Sequence, residues 1–322
     1  MIHIIMYAKN RAGTAPLFLL FTTGALLGAN FPLGKVAATH GFSPLAWAWV
    51  VSMGAVLFLG LTRLASGRPT RLRRDHVRFV VVSGVLSFVL PNLLLFSVIP
   101  HIGAGFSGLM FALSPVFTTV LSVAVGWERI SKLGLVAVAL GLIGAALVSW
   151  FRASDLHGPS PGWLAAALAI PVILAVGNVY RSWDWPAGAE PDQLALWSQI
   201  LAAVLFTTLL LADGQTQNTV LFAAHPVPVL MQAAAAGLMF PLLFRLQQVG
   251  GPILLSQIGY VAAGVGLVLA TVVLGERYPA PIWIGAALLA FGLALTTLER
   301  TKLPVRLRKA VWHKTASIRC LS

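Results

Sequence analysis

The sequence predicts an all-α integral membrane protein of ten transmembrane helices, arranged as two inverted-topology repeats of five. Three observations carry this. Of 322 residues, 58% are hydrophobic and only 10% charged, against roughly 25% charged in a soluble domain, so the chain cannot cover a water-exposed surface. Long apolar runs recur ten times between short punctuated loops. Basic residues fall almost entirely on one side of the layout those runs impose. Disorder is excluded by the same hydrophobicity.

The runs are 16–36, 44–62, 78–98, 102–124, 133–150, 162–181, 193–212, 226–245, 251–274 and 281–298. Each is close to or above the roughly 20 residues that a helix needs to cross the hydrocarbon core. They are apolar all round, so periodicity says little about which face is buried. In lipid every backbone group must be satisfied within the segment, which favours helices. A barrel would need alternating segments of about ten residues, and these runs are continuous. The first run is long and is interrupted by Gly, Asn and Pro after Gly24, which suits a retained span better than a signal-peptide core.

Orientation follows from the cations. With the N-terminus inside, the inner segments hold Lys9 and Arg11, then Arg63, Arg68, Arg71, Arg73, Arg74 and Arg78, then Arg129, Lys132, Arg181 and Arg245. The tail adds Arg300, Lys302, Arg306, Arg308, Lys309, Lys314 and Arg319. Only Lys35, Arg152 and Arg277 fall outside, a split of 19 to 3. One missed span would scramble that split, so it supports both the span count and cytoplasmic termini. The net charge of +13 is then topology, with the tail adding attraction to anionic lipid. Nucleic acid is not an expected partner. The lone Cys320 forms no internal disulfide and misses the position of a prenylation signal.

Sliding the chain over itself by 148 residues aligns Asn30 with Asn178, Trp49 with Trp197, Phe96 with Phe244, Gly103 with Gly251, Glu128-Arg129 with Glu276-Arg277, and Gly144 with Gly292. Apolar coincidences are common in such a chain, whereas matched Asn, Trp and Glu-Arg are not. The expected layout is a cytoplasmic N-terminus (1–15), a first repeat (16–150), a periplasmic linker (151–161), a second repeat (162–298) and a basic cytoplasmic tail (299–322). An odd number of spans per repeat inverts the second copy, the arrangement many secondary transporters use for alternating access.

The residues reached this way resemble the EamA-type members of the drug/metabolite transporter superfamily. The resemblance covers about 15–298. It rests on Gly28-Ala-Asn30-Phe31 with Lys35, on Phe96 and the stretch leading to Ser114-Pro115-Val116, on Glu128-Arg129 and on Gly144. In the second copy it rests on Gly275-Glu276-Arg277, Gly285 and Gly292. Ala263 stands where Pro115 would recur. The second helix reads Trp47-Ala-Trp49 where the family often carries an Arg. The resemblance implies ten helices, inverted repeats, and movement of small metabolites, often amino acids. Export from a bacterial-type inner membrane is the expected direction and location. It does not imply one substrate.

All nine acidic residues and all seven histidines lie outside the runs or at their ends. Ionisable groups inside a membrane usually mark proton relays, and none is expected at mid-depth. Coupling to protons would use helix-end groups such as Glu128 or Glu276, or a titrating substrate. Glu128, Arg129, Glu276 and Arg277 sit at symmetry-related helix ends, where they either latch gates or simply cap tight loops. Pro32, Pro91, Pro171 and Pro241 interrupt the first and third helices of the two halves. Each frees a carbonyl that must face protein or a wet cavity. Asn30, Asn92 and Asn178 lie near these breaks and offer donors and an acceptor to a polar solute. The alternative is bonding between helices. Ser114 in the fourth helix, with Gln257 and Tyr260 in its counterpart, complete the polar candidates. Trp47, Trp49 and Trp197 either stack on a ligand or belong to an aromatic belt.

A membrane-embedded enzyme or scaffold is the competing class. Gly105-Phe-Ser107-Gly108 looks like the nucleophile motif of intramembrane serine proteases, but no histidine lies within a run to activate the serine. No Walker motif, metal-ligand cluster or dinucleotide motif occurs, so no cofactor and no metal are expected. The expected partners are a small-molecule solute and the lipid bilayer. A homodimer stands open beside the monomer.

Overall fold

The computed structural model describes residues 2–68, 70–126, 132–153, 160–214 and 217–302. Among them there is no strand. Helix α1 (Ile2–Thr39) leads into α2 (Pro44–Ala65), where the Ser43 hydroxyl accepts from the Ala46 amide and Pro44 opens the first turn, as a Ser-Pro start predicts. Then come α3 (Val77–Gly84), α4 (Leu90–Ile102), α5 (Ala104–Phe111), α6 (Ser114–Ala124) and α7 (Lys132–Ala153). The remainder comprises α8 (Pro161–Trp183), α9 (Pro191–Ala212), α10 (Gln217–Ala224), α11 (Pro226–Ser256), α12 (Ile258–Val272) and α13 (Ala280–Lys302).

Seven helical segments are long and apolar enough to cross a membrane: Pro16–Thr39, Pro44–Ala65, Arg74–Ile102, Ala104–Ala124, Pro161–Trp183, Pro191–Ala212 and Pro226–Ser256. The other three predicted runs coincide with shorter apolar stretches, Leu133–Gly144, Ile258–Val272 and Ala280–Gly292. The run at 251–274 is divided because α11 continues to Ser256 through a break at Gly251. One element was not expected: α10 fills what reads as a loop. Its Phe222 ring stacks on Phe42 and Trp49, at 5.5 and 5.4 Å between centroids, and this apolar contact holds the short helix in place.

Helices pack chiefly on partners from the other half of the chain. Helix α1 lies against α11 and α12, and α8 against α4 and α6. Helix α2 meets α9 and α11, α5 meets α12, and α7 meets α13. Between apolar helices in lipid, close packing replaces the hydrophobic drive. The α1–α12 seam shows how. A Cβ at Gly24 would lie 2.5 Å from the Val261 Cβ, and one at Gly28 would lie 2.8 Å from the Ala262 carbonyl oxygen. The small-xxx-small spacing lets the two backbones approach that closely.

Candidate functional site

The breaks in the helices set the geometry. Pro91 has no amide proton to give to the Ser87 carbonyl. The preceding turn, Val85–Val89, widens to π geometry, and the Leu90 amide reaches back to the Val85 carbonyl. Such π turns gather at functional sites. Pro32, Pro171 and Pro241 are accommodated within continuous helices. The sharper interruptions fall at Gly103 (φ 88°, ψ 158°) and Gly251 (φ 69°, ψ −173°), backbone conformations that only glycine adopts readily. These two positions are 148 residues apart. The repeat register contained that signal, while prolines alone did not point to it.

The matched asparagines are both buried, and each ties helices together. Asn30 on α1 accepts from the Gln232 amide on α11. Its own Nδ2 donates to the Leu26 carbonyl at 2.8 Å and lies 4.0 Å from the Met239 sulfur. Asn178 on α8 donates to the Thr118 hydroxyl on α6 at 3.3 Å and accepts from Arg181 at 2.7 Å. The Gln247 amide on α11 donates to the Asn178 carbonyl at 3.2 Å and to the Ser182 hydroxyl. The two asparagines thus occupy separate seams rather than one cluster. Asn92 on α4 has an Nδ2 with no protein partner, and Gln257, 1% exposed between α11 and α12, has none at either amide atom. Unsatisfied buried amides are costly, which marks both as positions of interest. Ser114 is buried at the start of α6, and Tyr260 is buried one turn beyond Gln257.

The tryptophans differ from one another. Trp47 is 1% exposed, packs on Phe42 at 5.3 Å and leaves its Nε1 unpaired. Trp49 donates to the Thr207 hydroxyl on α9 at 2.9 Å. Trp197 donates to the Thr70 carbonyl at 2.8 Å and so anchors the segment after α2.

At one end of the bundle Glu276 holds the restart of the broken helix. Its carboxylate accepts from the Ala104 and Gly105 amides at 3.1 and 3.3 Å. These are the first free N–H groups after Gly103, where negative charge is favoured. The Tyr278 hydroxyl donates to the same carboxylate and also accepts from the Gly105 amide at 3.0 Å. Beside it lies an open pocket of about 240 Å³ bordered by Lys35, His101, Glu276 and Arg277. The Lys35 ammonium donates to the Pro100 carbonyl at 3.2 Å. Glu128 and Arg129, the matched pair, lie outside the described residues.

At the opposite end stands an ion-pair cluster that the sequence reading did not single out. Arg63, 2% exposed, reaches Glu190 at 2.9 Å and Asp192 at 3.0 Å. Arg68 also reaches Asp192, at 3.2 Å. Arg78 grips Asp184 through two nitrogens, and the Tyr180 hydroxyl donates to Asp184 at 2.7 Å. In the sequence these arginines read only as markers of sidedness. The available signal was that three acids, Asp184, Glu190 and Asp192, gather in one short connection on the basic side.

Arg181 ends the sixth apolar run and counts in the sequence with the inner-side cations. The structure places it in the last turn of α8, 2% exposed. Its guanidinium carbon sits 5.7 Å from the Phe88 ring centroid and 5.9 Å from that of Phe244. Among the described residues, the interior expected to be neutral thus includes a buried cation near one end of α8. Among the described residues there is no group of three or more potential metal ligands.

Residues 14–150 match the EamA-like transporter family. No curated protein matches the chain. A solved structure, described only as a crystal structure of a protein, is similar over 90% of this chain and 99% of its own. Its TM-score is 0.60 at 20% identity, a likeness of fold alone.

Proposed function

We propose that this chain, whose residues 14–150 match the EamA-like transporter family, is a ten-span secondary transporter of the inner membrane. It exports small polar or amphipathic metabolites, such as amino acids, by alternating access between inverted repeats. The observation that carries this reading is a repeat in the backbone itself. All eight described glycines with positive φ form four pairs: Gly41 with Gly188, Gly67 with Gly214, Gly103 with Gly251, and Gly126 with Gly275. Their separations stay within one residue of the 148-residue register. The packing follows the same exchange, since α1 on α12 mirrors α8 on α6, and α1 on α11 mirrors α8 on α4.

The two ends support the rest. Each ion pair at the Arg63–Arg78 end joins segments that the charge count places inside, and the contacts of Glu276 and Lys35 join segments placed outside. Arginines from the first half bond carboxylates of the second at the inner end, while at the outer end Glu276 of the second half bonds the start of α5 in the first, beside the pocket. This is one of the two states that rocking half-bundles would visit. Opening the inner end would part Arg63 and Arg78 from Glu190, Asp192 and Asp184. The seven long spans and three shorter apolar helices together supply the ten crossings.

The test is counterflow in proteoliposomes loaded in turn with amino acids and related metabolites. Exchange of at least one labelled solute, absent from protein-free vesicles, is the expected result. No exchange of any solute would favour a membrane scaffold without transport.

A further inference from the structure

Arg181 is the most unusual group in the bundle. Burying a guanidinium is costly unless it is paired and hydrogen-bonded, yet among the described residues no carboxylate pairs with it. Nη2 bonds Asn178, while Nε and Nη1 have no protein partner. That leaves three of the five N–H donors of the group without an acceptor. Its side chain turns back along α8 toward Asn178, as helical side chains do, so the charge lies a turn inside the helix end. The walls are aromatic: Phe88 from the π turn and Phe244 from α11 flank it, with Phe240 5.1 Å from Phe88 and Trp185 6.3 Å from Phe244. Unpartnered polar atoms also occur on the adjoining elements, at Ser87 Oγ and Gln247 Oε1.

Ring faces stabilise a desolvated cation, but they accept no conventional hydrogen bond from Nε or Nη1. A planar carboxylate supplies both the charge and the acceptors, and arginine binds that shape well. The segments that form the surroundings are those whose helical register breaks at Val85–Val89 and Gly251.

We propose that Arg181 anchors the carboxylate of the transported solute, with Phe88 and Phe244 holding its guanidinium in place between the π turn Val85–Val89, α8 and α11. The proposal rests on the transport reading and narrows its substrate class to carboxylate-bearing metabolites. It gives the solute an inner-end binding position, reached when the Arg63 and Arg78 ion pairs separate.

The experiment uses the full chain in detergent and two solute pairs that differ only in the carboxylate: phenylacetate with phenylacetamide, and N-acetylleucine with N-acetylleucinamide. Ligand that binds only the folded state raises the unfolding midpoint, by an amount that grows as the logarithm of 1 + [L]/Kd. At least one carboxylate at millimolar concentration is expected to raise the wild-type midpoint, and neither amide is. Arg181→Gln should abolish the response. Arg181→Lys, which keeps the charge but not the planar fork, should weaken it about tenfold. Phe244→Leu preserves the charge and most of the packing, and should weaken it several-fold, which keeps the test open if Arg181→Gln fails to fold.

The proposal is overturned if Arg181→Gln folds and responds as wild type does, if the amides act as strongly as the carboxylates, or if neither carboxylate shifts the wild-type midpoint. Binding is read here without a gradient. A chain that binds carboxylate through Arg181 but exchanges no solute in counterflow overturns the transport reading alone. Equal solute exchange by wild type and Arg181→Gln overturns this proposal alone.

Discussion

Replacing Glu276 tests whether a side chain from one half holds the backbone of the other. Its carboxylate accepts two amide hydrogen bonds at the start of α5, at 3.1 and 3.3 Å. Hydrogen bonds to charged groups contribute about 1.5–3 kcal/mol each. Both distances exceed the 2.7–2.9 Å typical of charge-assisted bonds, which places each near the lower bound, about 3 kcal/mol for the two together. The carboxylate is half-buried, so solvent competes for it and about 2 kcal/mol is a better figure. Glu276→Ala leaves the buried Ala104 amide without its acceptor and the Gly105 amide with the Tyr278 hydroxyl alone, and should lose most of that amount. Glu276→Gln keeps one acceptor oxygen, loses the charge at the helix start, and should lose about 1 kcal/mol. A loss of 1 kcal/mol lowers the midpoint of a large domain by roughly 2–4 °C. Thermal unfolding in detergent should therefore rank wild type above Glu276→Gln and Glu276→Ala lowest, with the last about 4–8 °C below wild type. Identical midpoints for wild type and Glu276→Ala would refute the cap, and equal losses in the two variants would refute the role given to charge.

Three further outcomes are expected. Gly28→Leu places side-chain atoms where the Ala262 carbonyl and Val265 already lie and should lower the unfolding midpoint. Gly60→Ala, where no atom lies within 4 Å, should raise stability by about 0.5–1 kcal/mol through helix propensity, so the two glycines should move the midpoint in opposite directions. Trp49→Phe and Thr207→Val each remove one end of the 2.9 Å bond between α2 and α9. A double-mutant cycle on chemical unfolding should return a coupling near 0.6 kcal/mol, the usual size for such bonds in membranes, and zero coupling would dismiss the contact. On a Cys320→Ser background, Ser160→Cys should react with an impermeant maleimide added to intact cells, whereas Ser66→Cys should react only after permeabilisation. The reverse pattern would invert the topology.

The polar pairings show how far the sequence could be read. The positions of the apolar runs, the sorting of cations to one side and the repeat at 148 residues were legible, because each depends on residues counted along the chain. The matched asparagines were legible as buried polar groups. Their partners were not: Gln232 lies 202 residues from Asn30, and Thr118 lies 60 from Asn178. Glu276 was picked out as a helix-end group, but the helix it caps begins 172 residues earlier. Arg63 and Arg181 carry the same letter as the tail arginines, and a charge count treats them alike.

What the sequence determined by itself was which segments are apolar enough to enter lipid and how the cations divide between the connections. The first follows from transfer free energies that add up residue by residue, the second from a count of Lys and Arg along the chain. The tertiary structure alone decided which polar groups meet. In runs that are apolar all round no periodicity marks a face, and only the packing of backbones at small residues brings one helix against another. That packing placed Arg181 between two rings with donors unpaired, closed one end with the Arg63 and Arg78 ion pairs, and turned Glu276 toward a helix break in the other half.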